Sequence, residues 1–291
     1  MPTEKHIHLR KVRADDLDAL IALERGATPG LSYVPNVFEM FLSDQAGDFS
    51  LAEVDGVVAG CGKFTPLPDG SAWLETLRVL PQYQGMGIGK RFYEHFLELA
   101  RQKGITTLRM YTGLRNVVSK GLAERFGFHL AASFHGAYRI CPSGAATYSV
   151  AAFKPVASPE RAAALLMPYS EGWGGYLVMN RTFYVLSPAL CGSLARQGMV
   201  YEHPLSGSVA VLGARFMPKQ ALHIGLFVAG PSGGDAALCL AFAEDLARAR
   251  GAGRLSCLFS VQSVGVQETL LAAGFELEKA DFIVMENTQE K

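Results

Sequence analysis

Residues 74–90 read Leu74-Glu75-Thr76-Leu77-Arg78-Val79-Leu80-Pro81-Gln82-Tyr83-Gln84-Gly85-Met86-Gly87-Ile88-Gly89-Lys90. Glycines at alternate positions lead into the apolar residues Ile88, Phe92, Phe96 and Leu99, spaced by four, four and three. That spacing predicts a helix, with Lys90, Arg91, Glu94, His95, Glu98 and Arg101 on its other face. Glycines at a helix start let backbone N–H groups close in on an anion. The helix dipole adds positive potential at the same point. The chemistry expected there is phosphate binding. A glycine-rich turn that binds nothing is the plain alternative.

Three kinds of phosphorylated cofactor use such a loop. A Walker loop needs a hydroxyl residue after its lysine, and Arg91 follows Lys90. A dinucleotide loop needs Gly-x-Gly-x-x-Gly and an acid closing the next strand. Here the third glycine comes one position early, and the next expected strand, 107–112, ends without an acid. Coenzyme A remains.

Gln84-Gly85-Met86-Gly87-Ile88-Gly89 resembles the Arg/Gln-x-x-Gly-x-Gly/Ala signature of the GCN5-related N-acetyltransferases (GNAT). The Glu75-x-Leu77-x-Val79 strand before it, and Asn116 and Gly127-Phe128 after it, match the family pattern as well. The resemblance implies a mixed, mostly antiparallel twisted sheet flanked by helices, and acetyl-coenzyme A as the acyl donor. It further implies that backbone groups of Leu77 and Val79 hold the pantetheine arm. The N–H groups of Gly85, Met86, Gly87, Ile88, Gly89 and Lys90, behind Gln84, would hold the pyrophosphate. An N–H near Leu77 would polarise the thioester carbonyl. Asn116 would bond the pantetheine amides, or simply cap the next helix. The family's usual general acid is a tyrosine four residues before the Gly-Phe glycine, and here that residue is Ala123. Tyr111, Ser119, water or unassisted departure of the thiolate could replace it.

The acceptor amine must lose a proton before it attacks, and an α-amine has a pKa of roughly 8. A carboxylate on the strand beside the loop can take that proton. Glu75 is the acid on that strand. Its other reading is a strand glutamate paired with a lysine or arginine. Strand alternation puts Glu75 on one face with Trp73, Leu77 and Val79. The segment 26–41 carries Tyr33, Phe38 and Phe41 among turn residues and matches the region that roofs the acceptor cleft in the family. Tyr33, Phe38 and Trp73 are therefore the acceptor-site candidates, with core packing as the alternative.

A chain of 291 residues has the length of two ordinary domains. Zero formal charge and 49% apolar residues give no electrostatic case for nucleic acid or membrane partners. Residues 1–6 are polar and do not read as a signal peptide. The longest apolar runs are strand-sized. Cys61, Cys141, Cys191, Cys239 and Cys257 are odd in number and scattered, which fits reduced thiols in a cytoplasm better than disulfides. His6 and His8 lack further ligands nearby, so no metal is expected.

The second half repeats the first. Gly127-Phe128-x-Leu130 recurs 147 residues later as Gly274-Phe275-x-Leu277, and the same ungapped offset maps Leu99-Ala100-Arg101 onto Leu246-Ala247-Arg248. Two domains of one fold are expected, 1–145 and 146–291, joined near Cys141 to Ala146. The offset sets Glu75 against Leu222 and Gln84 against Pro231, which has no N–H to donate. The second copy therefore reads as degenerate, with a structural or substrate-shaping role. Tandem members resembling the histidine N-acetyltransferases share this layout, which makes a free amino acid a candidate acceptor. The expected function is acetyl transfer to a primary amine of a small molecule within a ternary complex. A non-catalytic acyl-coenzyme A sensor, or acetyl transfer to a protein or aminoglycoside amine, are the alternatives. The sequence gives no oligomeric state.

Overall fold

Alternating apolar residues become strands and the four-and-three spacings become helices in the computed structural model, which describes residues 6–141, 152–230 and 236–289. The first half runs β1 (Ile7–Lys11), α1 (Leu17–Ala27), α2 (Val34–Ser43), β2 (Asp48–Val54), β3 (Val57–Pro66), β4 (Ala72–Val79), α3 (Ile88–Lys103), β5 (Thr107–Gly113), α4 (Val117–Arg125) and β6 (His129–Ile140). The second half runs β7 (Lys154–Pro155), α5 (Pro159–Leu166), β8 (Tyr176–Met179), β9 (Thr182–Val185), α6 (Pro188–Arg196), β10 (Val200–Glu202), β11 (Val209–Gly213), β12 (Leu222–Val228), α7 (Ala236–Arg250), β13 (Arg254–Ser260), α8 (Val264–Ala272), β14 (Glu276–Leu277) and β15 (Phe282–Thr288).

Two compact units result: Met1–Thr112, Asn116–Leu130 and Met285–Lys291 form the first, and Gly113–Arg115 with Ala131–Val284 the second. The expected boundary at 145/146 lies outside the described residues. The chain termini explain why the units are not two contiguous halves. Most of β6 joins the second unit, and the last stretch of chain returns to the first. There Arg109 of β5 anchors it, with Nε 2.5 Å from Glu286 and Nη1 3.0 Å from Asp69.

In the first unit, β1, β2, β3 and β4 pair antiparallel in chain order, and β5 joins β4 in parallel. α1 and α2 pack on one face of this sheet and α3 on the other. Close approach of α3 depends on glycines: a Cβ on Gly60 would lie 3.0 Å from Ile88, and one on Gly62 3.0 Å from Phe96.

In the second unit, β13 pairs with β6 on one side and with β12 on the other, followed by β11, β10 and β7. The repeat holds closely from α3 onward. β5 and β13 are both seven residues long, and α4 and α8 both nine, at an offset of 147. The helix-ending glycines repeat their left-handed backbone, with φ of 66° at Gly104 and Gly251 and 77° and 78° at Gly127 and Gly274.

The ungapped offset fails at the strand before the loop. Leu255 is the counterpart of Leu108, but Leu108 pairs with Ala72 while Leu255 pairs with Leu222. Leu222 therefore corresponds to Ala72, not Glu75, and the counterpart of Glu75 is Gly225. A strand–loop–helix segment can change loop length without disturbing the helix behind it, and the repeat slips by three residues there.

Candidate active site

A kink in β4 organises the site. Thr76 has φ of 62°, and the ladder with β3 shifts between Cys61↔Arg78 and Lys63↔Glu75. One extra residue on β4 has no partner, which is a β-bulge. A left-handed conformation at a β-branched residue costs about 1–3 kcal/mol and persists only where the surroundings enforce it. The bulge corrects the expected alternation. Glu75 does share a face with Trp73, since their partners Lys63 and Thr65 are two residues apart. Beyond Thr76 the parity inverts, so Arg78 joins Glu75, and Val79 faces away, opposite Gly60 under α3.

The face so assembled is polar and buried. Glu75 is 8% exposed. Its Oε1 accepts a hydrogen bond from Thr65 Oγ1 at 2.6 Å, and its Oε2 a long one from the Tyr33 hydroxyl at 3.5 Å. Tyr33 opens α2, and its backbone N–H donates to Glu24 Oε2 at 2.8 Å, as does that of Val34 at 3.0 Å. Glu24 Oε1 lies 3.1 Å from Arg78 Nη2, and the Arg78 guanidinium covers the Tyr33 ring at 5.3 Å. Lys63, opposite Glu75, is fully buried and paired with Asp44. Burial pushes the Asp44 carboxyl up, but Lys63 together with the backbone N–H groups of Gly47 and Ala46 makes the net shift downward. Cys61 donates to the Thr76 carbonyl at 3.4 Å, and burial pushes its thiol up to about 12. It carries no useful thiolate at neutral pH.

At the end of the same strand the glycine loop turns into α3. Gly85 and Gly87 have φ of 79° and 90°, and a Cβ at either would meet nothing within 4 Å. The space beside the backbone is therefore open to a ligand, and side chains there are excluded by conformation rather than crowding. Gly87 is the N-cap of α3, so the N–H groups of Ile88, Gly89 and Lys90 have no partner inside the helix. Gln84 Nε2 bonds the Val79 carbonyl at 3.2 Å and ties the loop to β4. Among the described residues, β4 pairs with β5 only at Ala72↔Leu108 and Trp73↔Arg109. The strands then part, which leaves the β4 edge at Leu77 and Val79 unpaired on that side. An edge strand and a helix start at one place fit a ligand with an amide-bearing arm and a pyrophosphate.

Residues 17–128 match the acetyltransferase (GNAT) family. Over that stretch the chain is similar to the GNAT acetyltransferases. The amino-acid acetyltransferase of Ralstonia nicotianae is 31% identical over 106 residues, which are 36% of this chain and 23% of that protein. The chain thus spans under a quarter of that relative's length. The crystal structure of a GCN5-related N-acetyltransferase from Sphaerobacter thermophilus superposes with a TM-score of 0.66 at 14% identity, over 99% of this chain and 96% of that one. A tandem GNAT protein from the clavulanic acid biosynthesis pathway gives 0.59 at 18%, over 98% and 99%. At such identities these likenesses show the fold, which is that of tandem GNAT proteins.

Within the matched residues and around them, the expected residues fall into three places. Glu75 and Tyr33 meet on the polar face. Phe38 and Phe41 are 2% exposed and pack edge-on against Phe49, and Trp73 is 1% exposed and stacks on Tyr111 at 6.0 Å. These three support the site from within the core. Ile88 is buried as well, and the absent Cβ of Gly89 makes room for Leu122 of α4, 2.8 Å away. Lys90 is exposed and 3.6 Å from Glu94. Asn116 caps α4, accepting from the Ser119 N–H at 3.1 Å. Ala123 is fully buried. The expected loop of the second half, 231–235, lies outside the described residues.

Sequence reading missed Glu24, Thr65 and Arg78. Glu24 did leave a signal. It follows Leu20 and Leu23 on the buried stripe of α1, where a carboxylate needs a partner. Arg78 left none, because alternation places it on the wrong face until the bulge is known.

Proposed function

We propose that this chain transfers an acetyl group from acetyl-coenzyme A to the primary amine of a small molecule, with free amino acids the first class of acceptor. The observation that carries this reading is the placing of Glu75. It sits on the strand that ends in the glycine loop, with one oxygen on Thr65 and the other toward Tyr33. The relative from Ralstonia nicotianae, named for amino-acid acetylation, supports the acceptor class.

Acetyl-coenzyme A, when bound, supplies the acetyl group as an activated thioester. The N–H groups of Gly85 to Lys90 would hold its pyrophosphate, and backbone groups of Leu77 and Val79 its arm. Glu75 accepts the proton of the acceptor ammonium, which frees the nitrogen lone pair for attack on the thioester carbon. The C–N bond would form, the C–S bond break and the thiolate leave with its electron pair, while the second proton shed by the nitrogen passes to that thiolate or to solvent. With a thiol pKa of about 8.5, departure needs little acid assistance, which suits a buried alanine at position 123. The raised Cys61 thiol argues for direct transfer, without a covalent enzyme intermediate.

We further propose that the second unit binds no cofactor and shapes or supports the first. No described helix is long and apolar enough to cross a membrane, and five free cysteines suit the reducing cytoplasm.

The test is coenzyme A release with a panel of amino acids and small amines, with products identified by mass spectrometry. Acetylated product with at least one amino acid is expected. Tight acetyl-coenzyme A binding without turnover of any amine would establish the sensor reading instead.

A further inference from the structure

Arg78 and Glu24 have no place in the reaction described above, yet they carry a buried ion pair beside it. The Arg78 side chain is 8% exposed and that of Glu24 3%. Removing two charges from water is expensive, and a well-packed apolar pair is often at least as stable. The pair's geometry shows what it holds. Glu24 spends one oxygen on Arg78 and the other on the backbone N–H groups of Tyr33 and Val34. These are the first N–H groups of α2, which have no partner inside the helix. Tyr33 itself has no side-chain cap for α2, so Glu24 supplies that function from α1. The guanidinium meanwhile covers the Tyr33 ring. Backbone and ring of one residue are thus fixed by one ion pair, and the hydroxyl of that residue reaches Glu75.

We infer that Arg78 and Glu24 are positioning residues that clamp Tyr33 so that its hydroxyl sets the orientation of the Glu75 carboxylate toward the acceptor amine. The inference rests on the transferase reading. The order of action is Arg78 on Glu24, Glu24 on the start of α2, and Tyr33 on Glu75. Thr65 holds the other Glu75 oxygen from β3 independently of this chain of contacts. The bulge at Thr76 couples the two ends, because only the inverted parity places Arg78 on the face of Glu75. A carboxylate swung by an ångström loses much of its use as a base, and misplacement on that scale can cost on the order of a hundredfold.

The test is a double-mutant cycle of Arg78→Met and Tyr33→Phe in the full chain, read as kcat and KM for the acceptor, Kd for acetyl-coenzyme A, and melting temperature. Each single change is expected to lower acceptor kcat/KM by roughly tenfold or more, with acetyl-coenzyme A affinity unchanged. The double variant is expected to be no worse than the poorer single, because both act through one contact. Arg78→Lys, which restores the charge, should recover part of the loss. Hydrogen exchange at the Tyr33 and Val34 amides should quicken in Arg78→Met and stay slow in Tyr33→Phe. Losses that multiply, or an Arg78→Met chain with a lower melting temperature but full kcat/KM, would overturn the inference and leave the transferase reading intact. If Arg78→Met does not fold, Glu24→Gln with Tyr33→Phe makes the same cycle. A wild-type chain that acetylates no amine removes the reaction, and the inference with it.

Discussion

β4 and β12 occupy the same place in two copies of one fold, and they have diverged at one point. Both carry an irregularity beside the preceding strand, at 61/63 in the first unit and 211/212 in the second. In β4 the residue before the kink is Glu75, and it faces Thr65, Tyr33 and Lys63. In β12 the residue at the matching place along the parallel ladder is Gly225, which is itself the residue left without a partner on β11, and a Cβ there would lie 2.8 Å from Leu177 of β8. β12 also keeps one more pair with its parallel neighbour, Ile224↔Cys257. The first copy spends its bulge on burying charge beside an opened strand edge. The second closes the same position with a leucine. Where the first copy carries a buried carboxylate, the second carries a glycine with a leucine packed against it.

The sharpest way to break that comparison is at the loops. Gly87→Asp should abolish acetyl-coenzyme A binding. It forces an aspartate to φ of 90° and sets a negative charge where the proposed pyrophosphate site lies. Gly234→Asp in the second half should leave affinity unchanged. Titration calorimetry is expected to show one site per chain, and two equivalent sites would end the asymmetry.

Next comes the pair of counterpart residues. Glu75→Gln keeps shape but cannot accept the amine's proton, so turnover should fall on the order of a hundredfold or more. Acetyl-coenzyme A affinity should hold. The deficit should shrink as pH rises past the acceptor's own pKa, since the amine then arrives deprotonated. Wild-type turnover across that pH range would make Glu75 structural. Gly225→Ala should do the reverse. Its methyl crowds Leu177, which costs about 1–3 kcal/mol in unfolding experiments, while kcat/KM stays at the wild-type value.

The smallest effect separates two roles of one residue. Asn116→Ala removes the cap of α4 and should lower stability by about 1 kcal/mol. If capping is its whole role, acetyl-coenzyme A affinity is unchanged. A tenfold weaker Kd would show that Asn116 also touches the arm.

Much of the first unit was legible because its signals are local. Proline and glycine end β4 and start α3 within a few residues, and the apolar spacing of α3 declares its buried face. The repeat was legible from Gly127 and Gly274, whose left-handed backbone few other residues tolerate. The register of β12 was not legible, since one unpaired loop can absorb three residues without any mark in the helix behind it. The burial of Phe38, Phe41 and Trp73 was undecided for a related reason. Aromatic side chains suit a cleft wall and a core equally, and only the neighbours Phe49 and Tyr111 choose between them.

By itself, the sequence determined that this chain has a glycine-rich helix start behind a strand with one carboxylate, and that the fold occurs twice. Those features rest on backbone chemistry within a span of residues, where glycine, proline and side-chain periodicity act directly. Tertiary structure alone decided which side chains share the carboxylate's face. A single residue at positive φ inverts the parity of everything after it, and that conformation is enforced by neighbouring strands rather than by Thr76 itself. The ion pair of Arg78 and Glu24, from elements far apart in sequence, exists only because of that inversion.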